Sequence, residues 1–421
     1  MEINDLLKGV DCGCGKHHSC DIRYVYIEKD ALRHLEEICG DRQRVLVVAD
    51  ENTFRAAGEK TLAALPGKQV EQVIFSGKEI LVPNEDAIRC VTEKLGPAEL
   101  IVGIGSGVIQ DLCKYVSHEQ GVPYLIVATA PSMDGYASTG AAMILGGMKV
   151  TCSAGLPEAI LGDVDVLKNA PMDMIRAGYG DIVGKFSALN DWKLSSLVHG
   201  EAFCRENYDL IYTMLQDTLK LADGLQKRDG ESVRVLMEAL VVVGIAMSFV
   251  GSSRPASGSE HHLSHYFEIT GIVKNQEYFT HGIDVAYSTV ITSILREKLL
   301  QNSWPDTQFR PERSAYEAGM HRIYGSVGSS CVALQDKMGR YGQDMLPVYK
   351  EKEAAIRALL REVPTAAEIE TMLAAVGLDM GEFYKLYGTE KINDAILWAK
   401  DLKDRYTVLW LYFDLFGGMK L

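Results

Sequence analysis

Gly103–Lys114 reads GIGSGVIQDLCK and directly follows the apolar run LIV at Leu100–Val102. The run predicts a buried strand, and Val108–His118 carries the spacing of a helix. Between them, Gly103, Gly105 and Gly107 let the backbone turn tightly and approach a diphosphate closely. The start of the helix behind them offers free N–H groups and the positive end of a dipole. The spacing is not G-x-G-x-x-G, because position 108 is Val, and no Gly-Lys-Ser/Thr is present. A strand-to-helix turn without a ligand is the plain alternative.

The same alternation continues on both sides of this stretch. Arg44–Ala49 (RVLVVA), Val73–Phe75 and Tyr124–Ala128 read as strands; Asn52–Leu65 and Glu85–Leu95 read as helices. Strands alternating with helices imply parallel βαβ units, which bind ligands at the carboxyl ends of their strands. Ala141–Gly147 and Ala159–Gly162 look like short strands or a hairpin. Past Pro171 the strand signal almost disappears. Helices are expected over Met174–Leu197, Asn207–Ala222, Glu231–Val250, Gly282–Leu300, Val348–Arg361, Ala366–Ala375 and Ile392–Tyr412. The expected architecture is an α/β dinucleotide-binding domain with a Rossmann-like parallel sheet over residues 1–170. An all-helical, metal- and substrate-binding domain follows over 171–421.

A chain of 421 residues is too long for one ordinary core. Its net charge of −14 disfavours nucleic acid and anionic membrane as partners, since both call for a basic surface. An anionic substrate therefore needs a local basic pocket. Nine scattered cysteines suggest a reducing compartment, and the N-terminus lacks the pattern of a secretory signal, so a cytoplasmic location is expected. The most apolar stretch, Val233–Val250, carries Arg234 and Glu238 and reads as a core helix rather than a membrane span.

Four of the ten histidines lie close together: His261, His262 and His265 in GSEHHLSHYFE, and His281 in THG. His261 and His265 share a helix face. Two imidazoles on one face with a third from the next helix suit a divalent ion with an open position. Asp181, in GYGDIVGK at the expected start of the first long helix, is a further ligand candidate or else an N-cap. His262 faces another direction. Asp50, ending the first strand, is placed to accept from an adenosine ribose hydroxyl and so to favour NAD(H).

Five runs occur in the order found in sn-glycerol-1-phosphate dehydrogenases: GSGVIQD (Gly105–Asp111), TAPSMDGYAS (Thr129–Ser138), GYGDIVGK (Gly178–Lys185), SSRPASGSEH (Ser252–His261) and THG (Thr280–Gly282). The chain resembles that family from about residue 44 to 290. It is similar more loosely to glycerol dehydrogenases, iron-containing alcohol dehydrogenases and dehydroquinate synthases. The resemblance implies a dehydroquinate synthase-like fold with its active site in a cleft between an α/β and a helical domain. It implies a metal (zinc, nickel or iron) on Asp181, His261 and His281, which makes His265 a neighbour of the metal. It places Gly105, Ser106, Gly107, Asp111, Thr129, Ser132 and Ser138 at an NAD or NADP cofactor, and Asp134 at a substrate hydroxyl. The implied reaction is reversible reduction of dihydroxyacetone phosphate to sn-glycerol 1-phosphate, serving phospholipid-type synthesis. His265 is the candidate to orient water or relay a proton. Lys185 and Arg254, beside the ligands in sequence, are the candidate phosphate contacts. A homo-oligomer, dimer or larger, is expected.

Ile283 stands where glycerol dehydrogenases carry the Glu of an H-G-E run, which disfavours plain glycerol oxidation. Another polyol dehydrogenase remains an alternative reading. A dehydroquinate synthase-like lyase normally carries Glu where this chain has Asp181. A non-catalytic nucleotide- or metal-binding protein would not need all these motifs together. The N-terminal CGCGKHHSC holds Cys12, Cys14, His17, His18 and Cys20. Its density invites a metal reading, but its spacing is not C-x-x-C and no second cysteine pair follows, so a locally packed or flexible segment is the expectation.

Overall fold

The computed structural model describes residues 3–79, 81–146 and 148–418. They form two compact units, one of residues 1–179 with 220–253 and one of 180–219 with 254–421. The boundary expected near 171 therefore needs correction, because the chain passes between the units three times. The helix Gly230–Val250 returns to the first unit, where it packs on the segment Asp134–Ala137 and the strand Tyr24–Glu28. A Cβ on Gly244 would lie 2.7 Å from the Asp134 carbonyl oxygen, so only glycine permits this approach. The helix is long and apolar enough to cross a membrane, yet 67% of its most apolar window is buried, as a core helix requires.

The first unit is built on a six-stranded parallel sheet. In spatial order its strands are Tyr24–Glu28, Ala159–Asp163, Tyr124–Ala128, Leu100–Gly105, Arg44–Asp50 and Gln69–Phe75. The four interior strands are nearly continuous apolar runs, as strands covered on both faces must be. Both short runs read near residues 141–162 are strands, in different sheets. Ala159–Asp163 is a central strand of this sheet, paired with Tyr24–Glu28 and Tyr124–Ala128. Gly140–Leu145 instead pairs with Met148–Ser153 in a separate antiparallel hairpin. Tyr24–Glu28 was not expected as a strand. Its alternating burial reflects an edge position that only the assembled sheet creates.

The described part of the second unit is helical. The predicted helix Met174–Leu197 is two helices, Met172–Val183 and Lys185–His199, meeting at Gly184. A Cβ there would lie 2.6 Å from Val285 Cγ1, so close packing on helix His281–Gln301 requires glycine at the junction. The predicted helix Ile392–Tyr412 is also broken. Met380–Trp398 is followed by a 3-10 turn at Ala399–Leu402 and a fresh helix at Val408–Phe416. The polar run KDLKDR between them holds a buried Lys400–Asp401 pair at 2.7 Å. Hydrophobic spacing alone predicts a continuous helix there.

Candidate active site

In the first unit the chain runs outward from Arg44–Asp50 to Gln69–Phe75, then resumes on the opposite side at Leu100–Gly105. Reversal of strand order opens a crevice at the carboxyl ends of Arg44–Asp50 and Leu100–Gly105, the usual nucleotide position in such sheets. Asp50 and Gly105 end those strands. A Cβ on Gly105 would come within 2.6 Å of Ile109, so no larger residue fits the turn. Ser106 occupies the N-cap of helix Gly107–Gln120 and its hydroxyl bonds the Ser132 hydroxyl. The Thr129 N–H donates to the Gly105 carbonyl at 3.0 Å, and Tyr136 donates to the Ala130 carbonyl at 2.7 Å. The loops holding Gly105, Ser106, Gly107, Thr129 and Ser132 are thus tied together.

Lys114 fixes the rest of this cluster, and sequence reasoning missed it. Its buried Nζ donates to the Gly140 carbonyl at 2.8 Å and the Gly135 carbonyl at 3.1 Å, and lies 3.4 Å from Ser138 Oγ and 3.5 Å from Asp111 Oδ1. Burial lowers its pKa while Asp111 and Asp134 pull the other way. In sequence it looks like any lysine on a helix; only its place on the helix behind the glycine turn could have drawn attention. Asp134 is itself 7% exposed. Asp50 has a structural task as well: its Oδ1 accepts from the Asn52 and Thr53 N–H groups at 2.8 and 2.9 Å, closing a capping box.

The metal candidates lie wholly in the second unit. Asp181 is in the last turn of Met172–Val183, not at a helix start, so the N-cap alternative falls away. A Cβ on neighbouring Gly180 would meet the Gly282 carbonyl and the Ala286 methyl at 2.6 Å. Glycine there brings the helices close enough to set Asp181 beside His281. His261 lies in the first turn of Ser259–Lys274, and His281 opens the next helix. One ligand atom from each of Asp181, His261 and His281 falls within 4.8 Å of the other two. His261 Nε2 is 3.7 Å from Asp181 Oδ1.

The surroundings prepare these groups. Glu260 Oε1 lies 2.7 Å from His261 Nδ1 and orients the ring with Nε2 on the side of Asp181. Burial holds the His261 pKa well below its ordinary value, so the ring is neutral. Ser264 Oγ lies 3.3 Å from His281 Nδ1. Burial alone would raise the Asp181 carboxyl, but Lys185, His261 and His281 hold it below the ordinary carboxylate range. One carboxylate and two imidazoles fit a divalent cation with an open coordination position. His265 is half-buried, its ring centroid 5.4 Å from that of His281, as a neighbour rather than a member of the triad.

Buried His262 has neither ring nitrogen hydrogen-bonded, and burial keeps it neutral. Lys185 Nζ donates to Asp181 Oδ1 at 2.8 Å and to the Ala256 carbonyl at 3.0 Å. Arg254 is 3% exposed and engages Glu201 at 3.0 Å and the Asp191 and Tyr406 carbonyls at 2.8 Å. Those bonds hold its guanidinium within the second unit. Lys403 and Arg405 reach the same Ser-Gly-Ser loop from the broken C-terminal helix. Lys403 Nζ donates to Ser257 Oγ at 3.3 Å, and Arg405 donates to the Ser257 carbonyl at 3.0 Å. Lys403 also acts electrostatically on His261. Nothing in the spacing of residues 403–405 pointed to this site.

A glycine-turn nucleotide unit and a carboxylate–imidazole triad define the class of metal-dependent, nicotinamide-linked dehydrogenases. Residues 26–171 match the family model of iron-containing alcohol dehydrogenase. The chain is 30% identical over 376 residues to glycerol-1-phosphate dehydrogenase (NAD(P)+) of Halalkalibacterium halodurans, covering 80% of this chain and 93% of that one. It is 34% identical over 267 residues to the enzyme of the same name from Hyperthermus butylicus, covering 63% and 75%. The chain belongs to the glycerol-1-phosphate dehydrogenase family. Among solved structures, maleylacetate reductase from Agrobacterium tumefaciens superposes with a TM-score of 0.60 at 13% identity, covering 95% of this chain and 98% of that one. Glycerol dehydrogenase from Schizosaccharomyces pombe gives 0.53 at 16% identity, covering 92% and 94%. These two likenesses establish the fold.

Proposed function

We propose that the chain interconverts dihydroxyacetone phosphate and sn-glycerol 1-phosphate with NAD(P)(H). The observation that carries this reading is the convergence of Asp181, His261 and His281 within 4.8 Å, in a chain of this family. In the reducing direction C2 gains a hydride and its oxygen gains a proton. Bound at the triad, a divalent ion supplies Lewis acidity toward that oxygen, and the nicotinamide supplies the hydride.

The residues of the chain orient the reactants and move the proton. Glu260 and Ser264 fix the ring orientations of His261 and His281. Lys185 holds the Asp181 carboxylate in place. His265, half-buried beside the triad, is the proposed proton relay. Gly105, Ser106, Gly107, Asp111, Thr129, Ser132 and Ser138 are the proposed cofactor contacts, and Asp134 the substrate-hydroxyl contact. Asp50 presents one carboxylate oxygen beyond those its cap uses, which supports a bias toward NAD(H). Lys403 and Arg405 are the proposed phosphate ligands. Burial and the nearby Arg254 lower the Arg405 pKa to about 10, so its guanidinium is charged at neutral pH. Nine scattered cysteines fit action in a reducing compartment, and a homo-oligomer is the proposed assembly.

A stereospecific assay on metal-reconstituted protein tests this. Dihydroxyacetone phosphate with NADH or NADPH should yield sn-glycerol 1-phosphate and not the 3-phosphate. Turnover of unphosphorylated glycerol alone would point to the polyol dehydrogenase reading.

A further inference from the structure

The N-terminal CGCGK segment, absent from the mechanism above, folds into a small hairpin. Val10–Asp11 pairs antiparallel with His17–His18. Cys12 N–H donates to the Lys16 carbonyl at 3.0 Å and Gly15 N–H to the Cys12 carbonyl at 2.9 Å. Gly15 closes the turn at φ +81°, a left-handed backbone that favours glycine. Two strands of two residues each hold few ladder bonds, and isolated hairpins are marginal in water. This one nevertheless presents a specific arrangement of soft ligands.

Alternation along the strand separates the two histidines. His17 pairs with exposed Asp11 at 2.8 Å, whereas His18 is 5% exposed and stacks on Phe249. His18 Nδ1 lies 2.9 Å from the Phe249 carbonyl, which can only accept, so that nitrogen carries the proton. The Nε2 lone pair then faces Cys14 Sγ at 3.3 Å. The Cys14 N–H points at Cys12 Sγ at 3.4 Å. Cys12 Sγ, Cys14 Sγ and a ring nitrogen of His18 all lie within 4.8 Å of one another. Around a tetrahedral zinc ion, sulfur and nitrogen ligands stand roughly 3.5 Å apart. The carbonyl behind His18 is the usual outer partner of a ligating histidine.

We propose that Cys12, Cys14 and His18 bind a structural zinc ion that clamps the N-terminal hairpin to the helix carrying Phe249. Two soft sulfurs and one imidazole select zinc over hard cations. Binding releases the two thiol protons. A fourth donor, water or a further side chain, completes the tetrahedron. Cys20 and His17 are not members. The site shares no residue with the Asp181–His261–His281 triad, so each can fail without the other.

The test is cobalt reconstitution of the full-length protein, with total metal measured in parallel. The triad contains no sulfur, so a thiolate-to-cobalt charge-transfer band in the near ultraviolet reports this hairpin alone. The expected result is that band in the unmodified protein and in His281→Ala, and its loss in Cys12→Ser/Cys14→Ser. The double variant should lose about one metal equivalent per chain and several degrees of Tm while keeping its kcat. A spectrum without thiolate charge transfer in the unmodified protein overturns the proposal, and needs no variant to fold. So does a Cys12–Cys14 disulfide found in freshly purified protein, or unchanged metal content in the double variant.

Discussion

Lys185 Nζ donates to Asp181 Oδ1 at 2.8 Å, with both side chains fully buried. The two residues belong to different helices, yet the junction at Gly184 preserves their i, i+4 approach. A buried carboxylate needs a cation, and Lys185 supplies one directly beside the candidate triad. The same contact orients Asp181 as a proposed ligand and would limit how much negative charge the site offers a divalent ion.

Lys185→Met should therefore make stability depend on metal. With chelator present, Asp181 loses its closest positive partner, and breaking such a buried pair costs about 3–5 kcal/mol. Added zinc or nickel should restore much of that loss. Thermal melts with and without chelator check this; equal loss in both would mean that Lys185 serves packing rather than charge.

His281→Ala should abolish turnover and remove about one metal equivalent, leaving helical content intact. Elemental analysis with far-ultraviolet circular dichroism decides it. Retention of every equivalent would remove His281 from the ligand set.

Lys403→Ala and Arg254→Ala should behave differently. Lys403→Ala should lower kcat/KM for dihydroxyacetone phosphate by about ten- to a hundredfold, a lost charge-assisted contact, with little change for dihydroxyacetone. Arg254→Ala strips donors from Glu201 and two buried carbonyls. It should cost about 3 kcal/mol of stability and depress both substrates in parallel. Exchange of these two patterns would return the phosphate to Arg254.

Asp414 should give stability a pH dependence of its own. Burial pushes its carboxyl up to about 6, although Tyr349 donates to it at 2.6 Å. Between about pH 4 and 6 the folded state keeps a proton that the unfolded chain has released. Stability from this group is therefore present at low pH and lost as pH rises through that window, by up to about 3 kcal/mol. Asp414→Asn cannot titrate, so its Tm relative to the unmodified protein should climb across the window. A constant difference from pH 4 to 7 would contradict the assignment.

The sequence by itself determined the α/β character of the first unit, the glycine turn at 103–107 and the motifs that converge at the metal triad. Those features are local: a buried strand, a tight turn and a helix start each have a residue signature a few positions long. The dispersed triad was legible through its motifs, because Gly180 and Gly184 are required by the same close helix approach that positions Asp181. Tertiary structure decided what depends on long-range contact. Ala159–Asp163 looks like many short apolar runs until it has neighbours to pair with. The Gly230–Val250 helix joins the first unit because Gly244 fits against Asp134, over a hundred residues away in sequence. Arg254 and Lys403 are both ordinary cations in a sequence. Their partners differ: the first is enclosed by Glu201 and the Asp191 and Tyr406 carbonyls, the second reaches the Ser257 loop, and no local pattern encodes a partner that distant.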